Sequence, residues 1–137
     1  MEQVSDATFA DEVLAADLPV IVEFTAPWCK PCRAIEPILA ELAVELAGRA
    51  RIVALDVDTN LATPSHYGVL TVPTVTLFAG GEARASVLGA QPKRRFGRTL
   101  DDEIHQAAGR TAAGLHAADA LQDLDAFLVV QGHRGLG

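Results

Sequence analysis

The sequence predicts an α/β chain: a mixed β-sheet with helices on both faces, and one extra helix toward the C-terminal end. Three observations lead there. Two apolar runs, Val20 to Phe24 and Ile52 to Val57, bracket a helical pattern from Arg33 to Ala47. Strands joined by one helix form a β-α-β unit, so they should lie parallel with a right-handed crossover. A third run, Val75 to Ala79, meets Gly80-Gly81 and then Glu82 to Leu88, the signature of an antiparallel hairpin.

Taken in order, Ser5 to Asp17 reads as a short helix. Thr8 with Asp11 gives a partial capping box, and Phe9, Val13 and Leu14 give a modest apolar stripe. Val20 to Phe24 is continuously apolar, as expected of a strand buried on both faces, except that Glu23 interrupts it. From Arg33 to Ala47, Ile35, Ile38, Leu39, Leu42 and Leu46 share one helical face. Gly48 is the stop, and Pro37 inside the helix should kink it. Asp58 to Tyr67 reads as a loop and short helix, with Pro64 limiting its start. Pro92 opens a last regular helix whose packing face is Phe96, Leu100 and Ile104. Lys93, Arg94, Arg95 and Arg98 cluster in its first turns, the wrong end of a helix for cations. Such a cluster is either a solvated face or a site for an acidic partner.

Residues 1–108 are expected to form one domain and 109–137 a helical extension. Leu115, Leu121, Leu124, Phe127 and Leu128 suggest an amphipathic helix from about Ala117 to Val130, followed by a loose end. The 137 residues are half hydrophobic, with a net charge of −7. That balance argues for a soluble protein and against partners such as nucleic acid or an anionic membrane. The chain opens with no basic-then-apolar leader, and its apolar runs are far too short to span a bilayer. A cytoplasmic location is expected, where paired cysteines are kept reduced.

The two cysteines, Cys29 and Cys32, carry the chemistry. A C-x-x-C pair is either half of a zinc site or a redox dithiol. Zinc would need two more ligands from His66, His105, His116 and His133, which are scattered and lack the usual spacing. The flanks favour redox. Pro31 fits the first helical turn, where a missing N–H costs nothing. Cys29 then falls at or near the N-cap, with free N–H groups and the positive helix end facing its sulfur. Such surroundings lower a thiol pKa from ~8.5 toward ~7 or below, and Lys30 pushes the same way. Cys32, one turn further in, should be more buried and ionise less readily.

With Trp28-Cys29-Lys30-Pro31-Cys32 and, about forty residues on, Val72-Pro73-Thr74, the chain from about Val4 to about Ala108 resembles the thioredoxin family. It departs at Lys30, where the family usually has glycine. The resemblance implies a thioredoxin fold with four to five strands. It implies no bound cofactor and no metal, only a redox-active Cys29–Cys32 disulfide. The implied activity is protein-disulfide reduction, with Cys29 as nucleophile and Cys32 as the resolving thiol. Glu23 would take the proton of the second cysteine; the family usually has Asp there, and related isomerases have Glu. The family also places a lysine near this acid, and here the matching position is Ala54. Burial should raise the pKa of Glu23.

Pro73 would be cis and stand against the dithiol. The Val72 backbone would then be presented to an extended client. Trp28, Val72, Thr74 and Gly89 would contact substrate, with Lys30, Pro31 and Pro73 tuning the site. The implied partners are disulfide-containing clients and an NADPH-dependent thioredoxin reductase, and the chain is expected to act as a monomer. Two alternatives stand beside this. One is a more oxidising isomerase or dedicated electron donor, favoured by Lys30 and Glu23. The other is a co-chaperone-like binding module that uses the C-terminal extension.

Overall fold

The computed structural model describes residues 1–112, with side chains through Ala108. Five strands form one sheet: β1 (Glu2–Val4), β2 (Val20–Thr25), β3 (Arg51–Asp56), β4 (Thr74–Ala79) and β5 (Glu82–Leu88). Three α-helices accompany them: α1 (Lys30–Glu45), α2 (Ala62–His66) and α3 (Lys93–Ala112). The strand order is β1-β3-β2-β4-β5. β1, β3 and β2 run parallel, while β4 is antiparallel to both β2 and β5. The sheet is therefore mixed, and the expected thioredoxin fold is present.

Side chains alternate across a strand, so each strand serves two cores. On one face Ile21, Ile52, Val75, Leu77 and Val87 pack beneath Ile35, Leu39 and Leu42 of α1 and Phe96, Leu100 and Ile104 of α3. On the other face Val20, Val22, Phe24, Val53 and Leu55 meet Val4, Phe9, Val13 and Phe78. Phe9, Tyr67 and Phe78 close that second core with ring centroids 5.0–5.8 Å apart. Each fully buried Phe, Leu or Ile contributes about 1.5–3 kcal/mol of transfer free energy. β2 lies at the centre of the sheet, and its residues Val20 to Phe24 are all buried. That burial on both faces is why its sequence reads as an unbroken apolar run.

The first segment differs from expectation. Ser5 to Asp17 is not a regular helix: Ala10–Leu14 forms a π-helical turn, with the Ala15 N–H donating to the Ala10 carbonyl at 2.9 Å. The reciprocal cap is Ser5 with Thr8 rather than Thr8 with Asp11. The Ser5 N–H donates to Thr8 Oγ1 at 2.9 Å, and the Thr8 N–H donates to Ser5 Oγ at 3.2 Å. Asp6 is held elsewhere. Its carboxylate accepts from the Ala62 and Thr63 N–H groups at 3.0 and 2.8 Å and so caps α2 from outside that helix. These ties hold residues 5–8 in a turn and postpone helical geometry to Phe9. The three-residue strand β1 was also not expected.

Three other features follow the sequence closely. The helix α1 begins at Lys30, three residues before the expected start, contains Pro37, and is followed by Gly48 at φ 83°. The hairpin turns on Gly80 and Gly81 at φ 62° and 81°, a left-handed pair that only glycine adopts without strain. A register shift beside Leu77 and Phe78 leaves Arg84 as the extra residue of β5. Toward the C-terminal side, α3 runs on to Ala112, past the expected domain boundary after residue 108. The expected helix from Ala117 to Val130 lies outside the described residues. Among the described residues no helix is long and apolar enough to cross a membrane.

Candidate active site

Strand β2 ends at Thr25, and after four intervening residues the chain starts α1 at Lys30. Cys29 is its N-cap, extended at φ −86° and ψ 104°, and Cys32 lies in its first turn. The two are joined in a disulfide. Pro31 occupies the first turn without removing any needed donor. Sγ of Cys29 accepts the Cys32 N–H at 3.1 Å, so the sulfur takes the place of a capping hydroxyl. A backbone donor and the positive end of the helix thus meet at the sulfur that would carry negative charge. Cys29 is 2% exposed and Cys32 fully buried, packed with Ala26 and with parts of Val57 and Val72. Lys30 points to solvent.

A second loop meets this helix tip. The Val72–Pro73 peptide is cis. Val72 rests on the disulfide cluster and Pro73 is buried. The Pro73 carbonyl accepts the Gly89 N–H at 2.9 Å, and Gly89 sits at φ 81°, a conformation other residues rarely adopt. Val72, Pro73 and Gly89 thus form one hydrogen-bonded wall beside the sulfurs. Thr74 is placed otherwise than a surface contact would be. It is 4% exposed, and its hydroxyl donates to the Thr71 carbonyl at 2.7 Å, so it braces the loop from within.

Trp28 is 66% exposed yet anchored: its indole N–H donates to both carboxylate oxygens of Asp58, at 3.0 and 3.2 Å. Asp58 is set in turn by its own N–H, which donates to Asp56 Oδ1 at 2.8 Å. The Arg33 guanidinium donates to the Pro27 carbonyl across the same turn. Sequence reasoning missed Asp58 and Arg33. Asp58 lies thirty residues from its indole, and no local pattern marks such a pair.

Glu23 lies on β2 between Ala54 of β3 and Val75 of β4. By strand alternation it shares the face of Ile21, beneath α1, the helix whose first turn holds Cys32. It is 1% exposed, and among the described residues neither carboxylate oxygen has a hydrogen-bond partner. Desolvation pushes its pKa up to about 7, and the negative charge of Glu36 on α1 adds to the rise. Ala54 supplies no counter-charge from the neighbouring strand. Among the described residues no group of three or more His, Cys, Asp or Glu converges as a metal site. His116 and His133, two of the four histidines weighed as zinc ligands, lie outside the described residues.

A C-x-x-C pair closed as a disulfide on a helix N-cap, at the end of the central strand of a mixed sheet, defines the chain as a thiol-disulfide oxidoreductase. Residues 1–102 match the family model for thioredoxin. The chain is 43% identical over 99 residues to a thioredoxin of Synechocystis, covering 72% of this chain and 92% of that one. It is 42% identical over 101 residues to a thioredoxin of Haemophilus influenzae, covering 74% and 94%. It is 43% identical over 98 residues to a chloroplastic M-type thioredoxin of Brassica napus, covering 72% and 55%. The chain belongs to the thioredoxin family.

Proposed function

We propose that this protein reduces disulfides of client proteins in the cytoplasm and is itself reset by an NADPH-dependent thioredoxin reductase. The Cys29 thiolate attacks one sulfur of the client disulfide, forming a mixed disulfide and expelling the first client thiolate. Cys32 then gives its proton to Glu23 and attacks Cys29 Sγ, expelling the second client thiolate. The client gains two electrons, and the protein keeps the Cys29–Cys32 disulfide. The observation that carries this reading is the N-cap position of Cys29, whose Sγ already accepts a backbone N–H. Trp28, Val72 and Gly89 form the docking surface, with Lys30, Pro31 and Pro73 tuning it.

The test is trapping. Cys32→Ser is expected to hold clients as mixed disulfides through Cys29, and Cys29→Ser to abolish turnover. A folded Cys32→Ser protein that captures no client from cell extract overturns the assignment. A second reading, a more oxidising isomerase or dedicated donor, is favoured by Lys30, exposed at the first helical position. A reduction potential measured against glutathione separates the two.

A further inference from the structure

The last turns of α3 form one wall of a cavity of about 720 Å³. There Ile104, Ala107 and Ala108 meet Leu18 and Pro19, just ahead of β2, and Ala79 at the end of β4. Cys29 follows the far end of β2, so the cavity lies about a strand's length, ~20 Å, from the dithiol. The lining is mainly small and apolar, and Leu18 is 39% exposed within it. Its two arginines, Arg49 and Arg84, are engaged with Asp101 and Glu82. The other ionisable lining groups, Asp17 and His105, are exposed. A small-molecule site needs a few polar groups converging to orient its ligand. Here the arginines are turned to partners of their own, and the lining suits a row of apolar side chains better.

Such a row follows directly in the chain. The helix α3 runs to Ala112, four residues past Ala108 and about 6 Å further along the axis. The outgoing chain therefore leaves at the lip of the cavity, with residues 113–137 still to place. Gly114 is the residue type that lets a helix end and the chain turn back. Leu121 lies nine residues past Ala112, a reach of at most about 30 Å. At 3.6 residues per turn, Leu121, Leu124, Phe127 and Leu128 fall within one arc of about 120°. Asp123 and Asp125 border that arc on either side, where they would meet a rim that carries Arg49 and Arg84. A helix of this length is marginal in water unless its apolar stripe is packed.

We propose that residues 115–130 of this chain fold back on it and cover this cavity, seating the stripe of Leu121, Leu124, Phe127 and Leu128 against Leu18, Ile104 and Ala108. The inference stands apart from the reductase reading. The cover is intramolecular, it closes the end of the sheet remote from Cys29, and it leaves the dithiol open to clients.

The test uses the full oxidised chain with isotope-labelled methyl groups. Nuclear Overhauser contacts should join the Phe127 ring to the methyl groups of Leu18 and Ile104. In a sample mixing labelled with unlabelled chains, those contacts should stay within one chain. In L124D/F127D they should vanish and the Leu18 and Ile104 methyl resonances should move. The variant's Tm should fall by about 5–10 °C, the scale for uncovering two large apolar side chains. Its rate of disulfide reduction should match wild type. Absence of the contacts in wild type overturns the proposal. So do contacts that cross between chains, which would make a second copy the cover. A slowed reduction in the variant would move the segment to the dithiol and overturn it as well. The wild-type contacts need no variant, so they decide even if L124D/F127D misfolds.

Discussion

Asp6 and Glu23 carry the same chemical group and are housed in opposite ways. Asp6 stands at the corner where the first segment meets α2. Hydrogen bonding from Thr63, then from the Thr63 and Ala62 N–H groups, holds its carboxyl below the usual range. Glu23 is buried in the central strand with no hydrogen-bond donor among the described residues, and desolvation lifts it to about 7. The first carboxylate is a structural clamp and is charged whenever the fold is useful. The second is held near neutrality, where a small change in its surroundings decides whether it is charged. Burial without partners is thus the feature that separates a group fit for proton transfer from one fit for holding a loop.

Four outcomes test that contrast, the largest first. Glu23→Gln should slow the step that releases client from the mixed disulfide on the order of 10²-fold, the usual scale for losing a positioned proton acceptor. Stopped-flow release kinetics against pH should also lose their inflection near 7. A wild-type-like profile would remove Glu23 from the chemistry. The same substitution should stabilise the protein at pH 8 by about 3 kcal/mol, the worth of a shift from 4.5 to about 7. The sign follows from proton binding. Between pH 4.5 and 7 the folded state holds the Glu23 proton and the unfolded state does not, so wild-type stability falls as pH rises through that window. The variant should lack this slope in urea titrations.

Ala54→Lys offers Glu23 a cation from the paired strand. It should lower the Glu23 pKa by about 1–2 units and flatten the slope in proportion, readable by NMR titration of the carboxyl carbon. Asp6→Ala should have the smallest effect, a modest loss of Tm at pH 7 with disulfide reduction unaltered. Because the Asp6 pKa is depressed, its contribution is present above the ordinary carboxylate range and lost on acidification. Wild type and variant should therefore converge at low pH. A loss of reduction in Asp6→Ala would erase the distinction between the two sites.

What could be read from the sequence was whatever is written locally. The apolar run of β2 with Glu23 inside it, the cysteine pair astride a helix start, and the Gly80-Gly81 turn each carry their own signal. Strand pairing places Glu23 against Ala54, the position where the family resemblance set a lysine. What could not be read depends on residues far apart. β1 has three residues and acquires its identity only by pairing with Val53 to Leu55. The turn at residues 5–8 is set by Asp6 reaching Ala62 and Thr63, against a local pattern that favours a helix. The family resemblance set Thr74 among the groove residues, and no local pattern showed that its hydroxyl donates to the Thr71 carbonyl.

The near-complete enclosure of Cys29, at 2% exposure in the disulfide form, has a consequence for what can touch it. A flat protein face cannot reach a recessed sulfur, whereas a slender, protruding loop can. The housing therefore discriminates by shape before any chemistry begins. On the proposed reductase reading, disulfides buried within well-folded proteins would be left alone, and those on exposed or partly unfolded segments would be opened. The same gate applies to whatever restores the dithiol, which has to extend its own thiol into the recess rather than merely lie against it.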